Sequence, residues 1–379
     1  MTTNEHKPIR RKRTNNIVGI LFGALLGGLV GFGITYSFLR MDTAQTRGLL
    51  ELNPLALALI LVGCGLFTLL VHELGHLGAG MLGGMRPLLL IIGPLRVQRE
   101  GDRMRVGFNR SLALAGGIAA CVPPDDSNLR QRMAWTIAGG PIASIFLTLA
   151  GILLVALQIN TTIGLIIAFI SGLICIVTLI PIRSNGFNSD GARLLMLARG
   201  GPTVDRYLAN LALVSGSLGG IRPRDWNPSL VERAQALPDG TIDHYSAQLM
   251  AYSHMLDNGN IQPAGSLLDD ILANLDGWPQ PFRPSLLLEG AYFAARHRQQ
   301  PLEARQLLDQ AGNGGTLVGR STRLSAEATV LLAERRSAEA VARAEEGLRA
   351  LNRATDAGAA IVERERLEAV IAEYNERKS

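Results

Sequence analysis

The chain has 379 residues, room for two or three domains, of which 47% are hydrophobic and 18% charged, with a formal net charge of +5. Its basic residues flank apolar runs instead of forming a stripe, which argues against a nucleic-acid groove and for the charge pattern of a membrane protein. Cys64, Cys121 and Cys175 are odd in number and lack C-x-x-C spacing, so neither a disulfide framework nor a thiolate metal site is expected.

Residues 1–16 form a basic tail carrying Lys7, Arg10, Arg11, Lys12 and Arg13. Four apolar stretches follow, at Ile17–Leu39, Pro54–Met81, Ala134–Leu157 and Thr162–Ile182, each long enough to cross about 30 Å of hydrocarbon. The first is too long and too glycine-rich for a signal-peptide core and lacks a small-residue cleavage site; Gly23, Gly27 and Gly31 give it a face for close helix packing. The Arg40–Asn53 connection is nearly balanced and Gln158–Thr161 is uncharged, whereas Arg86–Arg132 is rich in arginine. The positive-inside rule therefore puts that long connection and both termini in the cytoplasm, as expected for a multi-pass protein of the cell membrane.

The second span contains Val71-His72-Glu73-Leu74-Gly75-His76, an H-E-x-x-H pattern. On a helix, positions i and i+4 share a face, so His72 and His76 can bind one metal ion while Glu73 is placed to take a proton from water activated there. The plainer alternative is a pair of satisfied buried histidines. Against it, three ionisable groups in an apolar span are costly unless they bind something or line a wet cavity.

After this span, Leu88–Gln98 is β-rich, Glu100-Gly101-Asp102 is a turn signal and Met104–Phe108 alternates, which predicts a β-hairpin associated with the membrane. Its edge is either free to add an unwound substrate as a further strand or purely structural. The fourth span ends in Ile180-Pro181-Ile182-Arg183, followed by Ser184-Asn185-Gly186-Phe187-Asn188-Ser189-Asp190-Gly191-Ala192. By the count of spans, Asp190 arrives near the depth of His72 and His76. It is the leading candidate for the third ligand that a catalytic zinc normally takes beside an open position.

At these residues the chain resembles the site-2 protease family of intramembrane zinc metalloproteases. The resemblance rests on His72-Glu73-x-x-His76, on Gly140-Pro141 early in the third span, and on Pro181 followed by Asp190-Gly191, and it covers roughly residues 50–200. It implies a Zn2+ cofactor held by His72, His76 and Asp190, with Glu73 as general base and membrane-spanning protein segments in the lipid bilayer as substrates. The chain departs from the family pattern in three places. Thr178 stands where an Asn-x-x-Pro would put asparagine, Ser144 where Asn often follows Gly-Pro, and the step from Pro181 to Asp190 is longer than usual. Substrate-binding residues are therefore not carried over, although Asn185 and Asn188 could offer amide contacts.

Residues 17–200 are thus expected to form a transmembrane zinc metalloprotease domain, and 201–240 a linker or junction marked by Pro223, Pro228 and Pro238. From 241 to 379, amphipathic helices are predicted near Asp243–Asp257, Ala264–Leu275, Pro284–Arg298, Leu302–Gln310, Thr322–Arg335, Ala338–Leu351 and Ala357–Glu376. Their spacing is similar to tetratricopeptide repeats and predicts a cytoplasmic helical repeat domain that recognises a protein partner. His244, His254 and His297 lack ligand spacing. The fold expected is an all-α polytopic membrane protein of about four transmembrane helices with a membrane-associated β-hairpin, plus that α-helical repeat domain. Two other readings compete with a protease: a catalytically idle scaffold of the same fold, which has no need of Glu73, and a membrane-anchored zincin of another family, for which no second H-E-x-x-H exists downstream.

Overall fold

The computed structural model describes residues 53–100, 103–109, 116–184, 187–313 and 318–378. The basic tail, the first expected span with its glycine face, the Gly101-Asp102 turn and Asn185 lie outside the described residues. What is described is mostly helical, with 13 helices and a small antiparallel sheet.

Three helices, α1 (Pro54–Leu82), α2 (Leu129–Ala156) and α3 (Thr161–Leu179), are long and apolar enough to cross a membrane. Asn53 caps α1 by accepting from the Leu55 amide, with Pro54 in the first turn where its missing N–H costs nothing. Asn160 caps α3 by accepting from the Ile163 amide. The third helix stops at Leu179, short of the expected Ile182, because Pro181 has no amide to continue it and biases Ile180 to extended backbone. The second begins at Leu129, ahead of the expected Ala134. Its charged first turn is held by protein, since Arg130 donates to the carbonyls of Leu197 and Ala198 at 2.8 and 3.0 Å.

Small residues bring these helices together. A Cβ on Gly75 would collide with the carbonyl oxygen of Gly139, and one on Gly151 would stand 2.6 Å from that of Gly164. Without a hydrophobic force between helices in lipid, such close backbone approach is what holds a bundle.

The expected single hairpin is instead a four-stranded antiparallel sheet, β1 (Arg86–Ile92), β2 (Leu95–Glu100), β3 (Arg103–Phe108) and β4 (Ile118–Val122), in the order β3-β2-β1-β4. The β-rich run is cut by a turn at Gly93-Pro94, with Gly93 at φ +52°, and its two halves pair from Leu89↔Gln98 to Ile92↔Leu95. Asn109 locks this turn, its side chain donating to the Gly93 carbonyl at 2.9 Å and its amide to that of Pro94 at 2.7 Å. A Cβ on Gly93 would lie 3.1 Å from Leu66, so the sheet folds back beside α1 to a point well inside the span. Opposed pairs then give it two unlike faces. Leu95 with Phe108 and Val97 with Val106 form an apolar one, while Arg96, Gln98 and Glu100 line a cavity of about 700 Å³ against the last helices of the chain.

Beyond α3, a two-rung ladder of β5 (Arg183–Ser184) and β6 (Phe187–Asn188) leads into α4 (Asp190–Arg199). One core cluster joins Leu77 of α1, Leu90 and Ile92 of β1, Met133 and Ile137 of α2, Met196 and Leu197 of α4, and Val204 of the next helix. That helix is α5 (Pro202–Leu218), and with α6 (Pro228–Gln235) it occupies the segment expected as linker. Then come α7 (Ile242–Asp257), α8 (Ile261–Ala273), α9 (Arg283–Arg296), α10 (Pro301–Ala311), α11 (Arg320–Ala333), α12 (Ser337–Ala350) and α13 (Ala357–Lys378), the seven expected amphipathic helices within a few residues at each end. They pack as consecutive pairs, α7 on α8, α9 on α10 and α11 on α12. The last, α13, returns to α5, where the Ser217 hydroxyl donates to Asp356 at 2.7 Å. Two further bonds reach the membrane half: Thr355 donates to the Arg99 carbonyl and Ser215 to that of Pro123, both at 2.5 Å.

Candidate metal centre

His72, Glu73 and His76 sit on the C-terminal half of α1, and Asp190 is the first residue of α4. The loop that delivers Asp190 is stapled by Ser189. Its hydroxyl donates to the Ile180 carbonyl at 2.6 Å and accepts from the amides of Ile182 and Ala192 at 3.0 and 3.2 Å. Gly191 is pressed against the Leu179 carbonyl oxygen, so a Cβ there would displace the turn that aims Asp190.

These elements bring together three of the residues singled out in the sequence. His72 Nε2 lies 3.3 Å from Asp190 Oδ2, His76 Nε2 3.5 Å from the same oxygen, and the two Nε2 atoms 3.2 Å apart. His72, His76 and Asp190 thus form a group able to hold a metal ion. Glu73 is buried, belongs to no ligand set, and lies within electrostatic reach of His76, His72 and Asp190. Its Oε1 occupies the place a Cβ on Gly117 would need, and Gly117 itself, at φ +102°, has the left-handed backbone that glycine tolerates best.

Both imidazoles are oriented from behind by α2. His72 Nδ1 is 2.9 Å from the Ser144 hydroxyl, and His76 Nδ1 is 2.9 Å from the Thr136 carbonyl oxygen. A carbonyl only accepts, so His76 carries its proton on Nδ1 and leaves the Nε2 lone pair toward Asp190. The Gly140 amide also faces that nitrogen at 3.3 Å, but a protonated Nδ1 cannot accept from it; the shorter contact decides the tautomer. Pro141 stands inside α2, one residue beyond, where it cannot donate to the Ile137 carbonyl and loosens the ladder beside His76. Gly140 is indispensable to this fit, since a Cβ would strike the His76 ring.

Ser144, the Thr136 carbonyl and Gly117 were not singled out as site residues by the sequence. The hint for Ser144 was its place after Gly140-Pro141, where the resembled family often has asparagine; it was read there as a departure from the pattern. Asn188 pairs with Arg183 across the short ladder, and no contact brings it to the three ligands. Comparison with protein-family models, with curated proteins and with solved structures finds no match to this chain. The site is therefore defined by its geometry: two imidazoles and a buried glutamate on one helix long enough to span a membrane, met by the carboxylate that opens the short helix α4.

Proposed function

We propose that the chain is an intramembrane zinc metalloprotease, cutting peptide bonds in or near the membrane-spanning segments of other proteins. The observation that carries this reading is the triangle of His72 Nε2, His76 Nε2 and Asp190 Oδ2, with edges of 3.2, 3.3 and 3.5 Å. Ligands held tetrahedrally about 2.0–2.1 Å from zinc stand about 3.3–3.4 Å apart, so the triangle has the dimensions of one face of such a site. Two neutral imidazoles with a carboxylate are a zinc donor set, and three protein ligands leave one position for water or substrate. Zinc held there would polarise a substrate carbonyl and make water a nucleophile at neutral pH.

The remaining steps belong to the chain. Glu73 accepts the proton of the attacking water and returns it to the leaving amine, a role for which a carboxylate beside the ligands but outside their set is suited. Thr136 and Ser144 fix the imidazoles so that no reorientation is needed during turnover. The glycine contacts at Gly75, Gly139 and Gly140 hold α1 close enough to α2 for both bonds to form. Asp190, beyond the end of α3, meets the C-terminal half of α1, which supports parallel α1 and α3; the arginine-rich connection supports the orientation with cytoplasmic termini. The helical pairs after residue 241 resemble a repeat domain, and we assign them the recognition of a protein partner.

The idle scaffold is the weaker reading. Burying Glu73 beside two histidines and an aspartate is costly and gives a scaffold nothing in return. The deciding experiment measures zinc content of the purified full chain and cleavage of a model membrane-spanning substrate, native against Glu73→Gln. Zinc near one equivalent in both, with cleavage only in the native chain, is expected. Equal cleavage by Glu73→Gln would assign water activation elsewhere, and a native chain that binds no zinc would remove the protease reading altogether.

A further inference from the structure

We infer that Ser144 is a positioning residue for the zinc centre, accepting from Nδ1–H of His72 to hold the ring's orientation and tying that ligand to the packing of all three membrane-length helices. The inference rests on the metal-binding part of the proposed function and not on the identity of any substrate.

Ser144 is completely buried and His72 nearly so, and their 2.9 Å contact joins α2 to α1. For His72 to offer Nε2 to a metal, its Nδ1 must carry the proton and donate it; the Ser144 hydroxyl oxygen is the acceptor in place. The two histidines are thus served differently. His76 relies on a main-chain carbonyl, which substitution cannot remove, whereas His72 relies on one side-chain oxygen.

The same serine is held from its other side. Its carbonyl accepts from the Thr148 hydroxyl at 2.8 Å and from the Ser171 hydroxyl of α3 at 2.9 Å. Ser144 therefore bonds to α1 through its hydroxyl and to α3 through its carbonyl, and α3 leads directly to Asp190. A shift of α3 against α2 would break the Ser171–Ser144 bond as it carried Asp190 away, so this bond keeps Asp190 in register with the serine behind His72. The two ligands farthest apart in sequence are in this way registered by one residue that binds no metal.

The test uses the full chain in detergent and measures zinc affinity by chelator competition, together with the visible spectrum of the cobalt-substituted protein. The variants are Ser144→Ala, Ser144→Thr and Ser171→Ala. Loss of a single outer hydrogen bond to a ligating histidine lowers metal affinity about 10–100-fold, and that is the expected fall for Ser144→Ala, with shifted cobalt bands. Ser144→Thr keeps the hydroxyl and should recover the native cobalt spectrum. Ser171→Ala leaves the His72 contact in place and should lose less affinity than Ser144→Ala. Native affinity and an unshifted spectrum in Ser144→Ala would overturn the inference. So would a fall in affinity with unshifted bands, because that is the mark of general loosening. Either result leaves the zinc site of the native chain standing, whereas a native chain that binds neither metal defeats the proposed function and this inference together.

Discussion

At the scale of single residues, the metal centre depends as much on absent side chains as on the ligands. Gly140 lies so close to the His76 ring that a methyl group has no room, and both histidines are pinned on their far side by α2. Gly140→Ala is therefore expected to lower zinc affinity by at least about 10-fold, the scale of a disturbed ligand orientation, while the thermal unfolding of the helices after residue 241 stays unchanged. Unaltered zinc binding in that variant would mean that α2 can retreat without cost. Charge at this scale gives a second prediction. Burial raises the Glu363 carboxyl of α13 above the ordinary glutamate value, and its Oε2 has no hydrogen-bond partner. The folded chain thus holds this proton more tightly than the unfolded one; stability begins to fall as pH passes the unfolded value of about 4.3 and the loss is complete once pH has risen through the raised folded value. Glu363→Gln should accordingly raise the unfolding temperature at pH 7–8 and change it little near pH 4; a lower temperature at neutral pH would refute the assignment. Asp239 acts in the opposite sense. Burial pushes it up, but hydrogen bonds from Arg206 and Thr241 bring it down to about 2, so its contribution is present at neutral pH and lost in acid. His72, His76 and Asp190 were legible in the sequence because their chemistry is written in residue type and spacing. The Thr136 carbonyl was not, since a main-chain oxygen has no letter, and Ser144 stood out only as a departure from a family pattern, because which side of α2 faces His72 is settled in three dimensions.

At the scale of elements, the three membrane-length helices among the described residues and the seven amphipathic ones after residue 241 could be read directly, because hydrophobic length and 3.6-residue periodicity are strong signals. The sheet was under-read for two physical reasons. Gly93-Pro94 sits inside an otherwise continuous β-rich run, and Ile118–Val122 is apolar without alternation, so its pairing with β1 becomes visible only in three dimensions. The junction after residue 200 misled in another way. Pro223 and Pro228 marked a linker or junction, yet each occupies the first turn of a helix, where a missing amide is harmless. Within this junction Arg222 is buried and donates to both oxygens of Asp257 on α7 and to both oxygens of Glu365 on α13. Arg222→Ala would leave Asp257, itself buried, without its cation, at a cost of about 3–5 kcal/mol. The expected result is cooperative loosening of α13, read as faster hydrogen exchange in residues 357–378. Native exchange rates there would show that apolar contacts of Leu367 and Val370 with α11 and α12 suffice.

At the scale of the whole molecule, the contacts of α13 redraw the boundary that composition suggested. A break at 241 follows the change from apolar spans to amphipathic helices, but α13 closes on α5 and on the junction through Ser217–Asp356 and Arg222–Glu365. A Cβ on Gly358 would also collide with the Ile221 carbonyl oxygen, so the first turn of α13 is fitted to that segment. Further inward, Arg206 of α5 is buried and donates to the Leu237 carbonyl and to both oxygens of Asp239, just ahead of α7. A fragment of residues 241–379 loses Arg206 and Arg222 and leaves Asp257 exposed to no partner. A fragment of residues 202–379 keeps all these pairs, but severs the bonds of Ser215 and Thr355 to the membrane half and the packing of Val204, Tyr207, Leu208 and Leu211 against it. The longer fragment is therefore expected to be soluble, helical by circular dichroism and cooperative in thermal unfolding, and the shorter one to unfold at a clearly lower temperature or to aggregate. Equal stability of the two would return the boundary to 241. The corresponding membrane half, residues 1–201, retains His72, His76, Asp190, Ser144 and the Thr136 carbonyl, so it should still bind zinc. Loss of zinc from that half would show that α5, whose Val204 shares the core beneath Leu197 of α4, is needed to hold Asp190 in place.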